Sequence, residues 1–331
     1  MTFTKDFRTP AQLTAAARAA FRAFIEKYLV AGLLPYDAVY DLDFTYGNVE
    51  GALPAAATYR AFNTESGVGE LPAGSSKQGR LPAISQRHDV DEYLKLTLFN
   101  QNAAIGEAFE KRAIRSAQAL AARVVLAAYE GITTGSVTIA ENGMSFVVNF
   151  GRKGALTATA ATAWSSVATA KPVEDLEGFR NIYGPLGRVI LSQQSATYLQ
   201  QNVDLIKLAL GRGTDLPSRV SWEDVRSVFT DFRIGVPSVN EELVTNTSGV
   251  LVPTIAADKV LIVPNGQVGT TKVGIAAESI NQENGIAEAE RPGLFSGAMH
   301  RSDPEGYHVL VSGIVLPVVT SPDQTGVIDA F

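Results

Sequence analysis

The densest cluster of chemically capable residues in this sequence is RHDVDE, where His88, Asp89 and Asp91 fall within four positions. Alternate residues of a strand share a face, so Asp89 and Asp91 would point the same way there. Two carboxylates beside an imidazole suit a divalent metal or an acid–base pair. The same spacing suits a solvated or intersubunit charged face, and no other residue pattern favours the chemical reading. The three histidines, His88, His300 and His308, include no i, i+4 pair of the helical zinc kind. Glu107, Glu110 and Glu130 lie on one helical stretch without the Glu-x-x-His partner of a di-iron bundle. GRKG at 151–154 and GRGTD at 211–215 have neither Walker nor dinucleotide spacing and read as turns. Gly135-Ser136 and Ser296-Gly297 lack the flanking glycines of a hydrolase elbow. There is no cysteine, which removes disulfides, thiolate metal sites and cysteine nucleophiles. No catalytic, cofactor-binding or metal-binding residue is assigned, and no cofactor is expected.

The composition fits a large apolar core. Hydrophobic residues make up 46% of the 331 and charged residues 19%, with a net charge of -6. So little charge implies much buried surface, either within one chain or between chains. The mild acidity argues against a duplex-gripping domain, which would carry a basic patch. It is compatible with the wall of a container that must not hold its nucleic acid tightly. The opening MTFTKDFRTP lacks the basic-then-apolar order of a signal peptide. No apolar run reaches about 18 residues, so no membrane partner is expected.

Periodicity supplies the elements that would position these residues. Leu13, Ala17, Phe21, Phe24 and Tyr28 make one stripe and predict a helix over 10–31. Residues 64–98 read as a long two-stranded excursion with a Gly- and Ser-rich centre at Gly67 to Gly79 and an alternating return over Arg87 to Phe99. Ile105, Phe109, Ala113, Ala117, Leu120, Val124 and Ala128 step by three or four and predict a helix over 100–130. Asn142-Gly143 between β-rich runs predicts a hairpin, and Pro172 starts a helix over 172–183. From about 185 the pattern is α/β. GRVILSQ is a strand, QQSATYLQQNVDLIKLAL a helix, and SWEDVRSVF a helix with a capping-box start. Strands follow at Phe232–Val236 and Lys259–Val263, and HVLVSGIVLPVVTSP is a long buried strand that closes a sheet.

The order of these features resembles the major capsid protein E family, the major capsid proteins of the phage lambda type. The resemblance is carried by RLPAISQRHDVDEY, QNAAIGEAFEKR, MSFVVNFGRK, DLEGFRNIYGPLGRVILS, WEDVRSVFTDFRI, DKVLIVPNGQVGTTKVGIAAE and VSGIVLPVVTSPDQTGVID. It implies an α+β class and the HK97-like capsid fold. The expected parts are an N-terminal arm (1–63), an extended β loop or E-loop (64–98) and a peripheral domain (99–185) with its spine helix at 100–130. An α/β axial domain (186–295) and a C-terminal return strand of the peripheral domain (296–331) complete the chain.

The resemblance also implies a function: hexamers and pentamers of an icosahedral shell enclosing packaged double-stranded DNA. Implied partners are other copies of the chain, a scaffold protein, a portal, a small decoration protein and non-specific contact with DNA. The place would be the virion capsid, after assembly in the host bacterial cytoplasm. No long scaffold-like prefix is evident, so a separate scaffold is expected. Some relatives crosslink a loop lysine to a neighbour's asparagine. Lys77 lies in the expected loop, but the lambda type relies on decoration proteins, so no crosslink is expected. Arg80, Arg87, Asp89, Asp91 and Glu92 are the candidate intersubunit contacts. Rival readings are an encapsulin-like compartment, which shares the fold, and a soluble α/β enzyme.

Overall fold

The computed structural model describes residues 3–46, 77–211 and 216–331. The expected loop centre up to residue 76 and most of GRGTD lie outside the described residues.

Helix α1 spans Pro10–Ile25. Thr9 and Gln12 form a reciprocal capping box at its start, and Pro10 sits where no N–H is needed. The predicted helix to residue 31 is instead two helices, because the Leu29 N–H is donated to the Glu242 carboxylate at 2.8 Å. Helix α2, Val30–Leu33, follows. Strands β1 (Tyr36–Ala38) and β2 (Asp43–Tyr46) come next. The chain then returns as β3 (Lys77–Arg80) and β4 (Ala83–Val90). Arg87 to Phe99 is therefore not one strand. Asp91 accepts the Leu94 N–H at 3.0 Å and starts helix α3, Glu92–Thr97.

The predicted long helix is α4, Asn102–Thr134. Its 33 residues span about 50 Å. Gly135 ends it with φ +73°, a left-handed conformation that favours glycine. The Arg152 guanidinium caps its last turn, donating to the Ile132 and Thr133 carbonyls at 2.8 and 2.7 Å. A cation there also complements the helix dipole. Burial among these groups holds the Arg152 pKa below its ordinary value. Strands β5 (Ser136–Glu141) and β6 (Met144–Asn149) form the expected hairpin. Asn142 and Gly143 both have positive φ at its turn.

Then come β7 (Thr157–Thr159), α5 (Pro172–Tyr183) and β8 (Arg188–Ser192). The single helix predicted next is two, α6 (Gln193–Gln201) and α7 (Val203–Leu210). Asn202 breaks it. Its side chain accepts the Leu205 N–H at 2.9 Å and donates to the Val167 and Ala170 carbonyls, all while fully buried. Helix α8 is Trp222–Asp231, with the predicted capping box between Ser221 and Asp224. Phe232–Val236 is not a strand. Arg233 and Gly235 take positive φ there, so strand β9 starts at Val236 and runs to Asn240. The rest is β10 (Leu243–Thr245), β11 (Leu251–Pro253), β12 (Lys259–Val263) and β13 (Gly269–Val273). Strands β14 (Phe295–Ser302), β15 (Glu305–Val319) and β16 (Gly326–Asp329) end the chain.

Two five-stranded sheets organise these elements. One has the order β1-β13-β15-β14, with β4 also paired to β15. The other runs β7-β16-β12-β8-β9. The expected return strand at 296–331 thus serves both sheets: β15 lies in the first and β16 in the second. Among the described residues three large apolar clusters fill the interior, beside a small fourth around Ala276, Ile286 and Phe295. One packs α1 and the first half of α4 on β15, through Leu13, Phe21, Phe109, Leu120, Val309 and Val311. A second packs the other half of α4 against both sheets, through Val125, Ile132, Leu261, Val263, Leu316 and Val318. A third lies between the second sheet and α5 to α8, around Trp164, Phe179, Leu199 and Phe229. Strands β13 and β15 approach so closely that a Cβ at Gly269 would stand 2.0 Å from the Val318 carbonyl oxygen.

Replacing Asn202 with alanine leaves two carbonyls and one N–H without this partner. The variant is expected to lose about 3 kcal/mol, read as a lower denaturation midpoint with an unchanged slope.

Candidate assembly interface

The first expected contact residue, Arg80, sits on the two-stranded ribbon of β2 and β3. It lies opposite Asp43 in register, with Nε 3.1 Å from Asp43 Oδ1. Both side chains are largely exposed, so the pair contributes little to stability.

On β4 the residues alternate. His88 turns toward α4, with Nδ1 2.7 Å from Ser116 Oγ, while Arg87 and Asp89 face solvent. The three residues of the RHDVDE cluster therefore part company: one faces a helix, one faces solvent and Asp91 caps α3. Asp89 instead meets residues more than 200 positions away. His308, its register partner on β15, places Nδ1 2.6 Å from Asp89 Oδ1. Arg301 on β14 donates from Nη1 at 2.9 Å. The hydrogen bond from His308, and then the charges of His308, Arg301 and Arg87, hold the Asp89 carboxyl below its ordinary 3.8.

A second group lies at the β14–β15 turn. Glu305 receives hydrogen bonds from Lys95 of α3 and faces His300 Nε2 at 2.7 Å. Lys95 also lies 5.2 Å from the centre of the Tyr307 ring. The Lys95 contact, then that of His300, lowers the Glu305 pKa, and Glu305 raises that of Lys95. Glu305 is thus paired with both groups. Nothing in its local sequence shows this, because its partners come from α3 and from across a hairpin.

These contacts fasten α3 and β4 to the sheet. Each of these two imidazoles has a carboxylate partner, as a general base would. Among the described residues, neither imidazole is hydrogen-bonded to a hydroxyl that it could activate. Among them, too, no three His, Asp or Glu groups converge as a metal site. No helix of the described residues is long and apolar enough to cross a membrane. Apolar groups face outward beside these charges. Helix α3 has no buried residue, and Tyr93, Leu96 and Phe99 are 78%, 66% and 70% exposed. A second tie joins the β9–β10 turn to the long helix. Glu242 accepts from the Tyr129 hydroxyl of α4 and from the Leu29 N–H. Burial, then Glu242, raises the Tyr129 pKa.

The model of the family described as phage major capsid protein E matches residues 10–326. Comparison with curated proteins gives no match. Among solved structures, one similar chain is a prophage protein of Escherichia coli CFT073 proposed to be a capsid protein. It is 14% identical, with a TM-score of 0.63 over 95% of this chain and 99% of that one. A phage-related protein of Bordetella bronchiseptica RB50 is 11% identical, with a TM-score of 0.51 over 94% and 96%. The capsid of Myoviridae phage XM1 is 11% identical, with a TM-score of 0.50 over 92% and 91%.

The depressed Asp89 and Glu305 carboxyls stabilise the fold above the ordinary carboxylate range. That contribution is lost as pH falls through their lower folded values. Asp89→Asn is therefore expected to be less stable than the native chain at neutral pH, by up to about 1 kcal/mol at this exposed site. The difference should vanish in acid, as thermal unfolding across pH would show. An equal difference at every pH would contradict the assignment.

Proposed function

The chain belongs to the phage major capsid protein E family and has its HK97-like α+β fold, and from that premise we propose how it works. Its copies assemble as hexamers and pentamers of an icosahedral shell around packaged double-stranded DNA. The carrying observation is the family match over residues 10–326. Its work is mechanical, with no catalytic step. In this reading the sheet built on β15, with α1 and α4, is the peripheral domain. The sheet built on β12, with α5 to α8, is the axial domain, which points to the local symmetry axis. The ribbon of β2 and β3 launches the extended loop toward a neighbour, beside exposed charges such as Arg80. A scaffold protein, a portal and a small decoration protein complete the particle in the host bacterial cytoplasm, and contact with DNA is non-specific.

Energetics supports many modest contacts. A contact of about 800 Å² per partner has a gross apolar gain of order 20 kcal/mol per face if wholly apolar. Lost translation, rotation and side-chain freedom offset most of it. Each contact can thus be weak and reversible while a closed shell of many copies is stable.

Electron microscopy of the purified chain tests the reading. Shells, tubes or rings of five and six copies are expected. A stable monomer under all salt and crowding conditions would contradict it.

A further inference from the structure

Asparagine precedes glycine three times in this sequence, at 142–143, 265–266 and 284–285. Asparagine is a thermolabile side chain, and this pair reacts without an enzyme. The glycine amide nitrogen gives up its proton to hydroxide and attacks the asparagine side-chain carbonyl carbon. A new C–N bond closes a five-membered succinimide, and the side-chain nitrogen leaves as ammonia. Water then opens the ring at either carbonyl, which leaves aspartate or isoaspartate. Glycine favours closure because it has no Cβ and its backbone turns freely. In a folded chain the rate depends on whether the backbone can turn and whether both groups are free.

Two of the three pairs are held. Asn142 and Gly143 have φ +49° and +81° in the β5–β6 turn, and the six register pairs of the hairpin fix that conformation. Ring closure must twist bonds that the hairpin holds. Asn284 is buried, and its Nδ2 donates to the Glu278 carbonyl at 2.7 Å. Gly285 donates its N–H to the Gln282 carbonyl at 3.1 Å. There the leaving group and the nucleophile are both engaged.

The third pair is free. Asn265 and Gly266 are exposed in the connection between β12 and β13. Among the described residues, neither the Asn265 side chain nor the Gly266 N–H forms a hydrogen bond. Neither residue has a positive φ, and a Cβ on Gly266 would meet nothing within 4 Å. The chain is anchored on either side of the pair. Val263 is in register with Arg188 of β8. Val268 donates its N–H to the Leu33 carbonyl at 2.9 Å, and its own carbonyl accepts the Thr320 and Ser321 N–H groups at 3.0 Å.

We propose that Asn265 is a site of non-enzymatic deamidation in the native fold, converted to aspartate and isoaspartate ahead of the other two Asn-Gly pairs. The product adds a carboxylate to the connection that passes from one five-stranded sheet to the other. As isoaspartate it also adds one carbon to the main chain there. The anchors at Val263 and Val268 confine the change to the turn, so the fold persists.

Peptide mapping by mass spectrometry tests this. The full chain is held at mildly alkaline pH, below the concentration at which it forms particles, and sampled over time. Circular dichroism reports the fold. Rates in urea, where folding no longer distinguishes the sites, give the reference for each local sequence. The ratio of native to urea rate is expected to be several-fold larger at 265 than at 142 or 284, with an unchanged dichroism spectrum. Gly266→Ala fits the open space at this position and should slow reaction at 265 several-fold, leaving the other two sites as they were. The wild-type comparison decides by itself if that variant fails to fold. Equal ratios at the three sites, or a larger ratio at 142 or 284, would overturn the proposal. So would loss of the native spectrum in step with modification at 265.

Discussion

Helix α4 is buried along both halves of its length, and the remaining architecture is arranged to supply that burial. Its first half gives Ile105, Phe109, Ala113 and Ala117 to the cluster with α1 and β15. Its second half gives Val125, Ala128, Tyr129 and Ile132 to the cluster that reaches β8, β12, β15 and β16. Each large apolar side chain so buried contributes about 1.5–3 kcal/mol before the ordering entropy is met. The alanines let neighbouring backbones approach, so one helix can serve as a common wall for both sheets. Its last turn would otherwise leave carbonyls unpaired, and Arg152 takes two of them.

From that wall the outer elements are fixed by polar contacts rather than by further core. Glu242 ties the β9–β10 turn to Tyr129 and to the break after α1. Asp89 and Glu305 fasten β4 and α3 to the β14–β15 hairpin. Buried apolar contacts set the rigid bodies, and exposed or half-buried charges set how the edges are held. A shell subunit needs this division: its core must survive assembly unchanged, while its edges meet many neighbours through modest contacts.

Much of this was readable from spacing. The α4 stripe, the Asn142-Gly143 turn, the α5 start at Pro172 and strand Lys259–Val263 follow from local pattern, because local periodicity and caps decide them. The breaks at Leu29 and Asn202 were not readable. At Leu29 a distant carboxylate takes the N–H that would continue the helix, and at Asn202 distant carbonyls hold the side chain that caps a new helix. Among the contact candidates, sequence singled out five charges near one another but not their fates. The partners of Asp89 are His308 and Arg301, and the pairing of β4 with β15, and of β15 with β14, brings them together. The apolar face of α3 was hidden because residues 87–99 alternate well enough to pass for a strand.

On the proposed function, copies of this chain associate through many weak, repeated contacts. Light scattering of the purified chain against concentration tests it most directly. Weak contacts closing into a shell predict a sharp threshold, with little scattering below it and nearly all added protein entering particles above it. Scattering that rises in simple proportion to concentration, with no threshold and no particle, would contradict the claim.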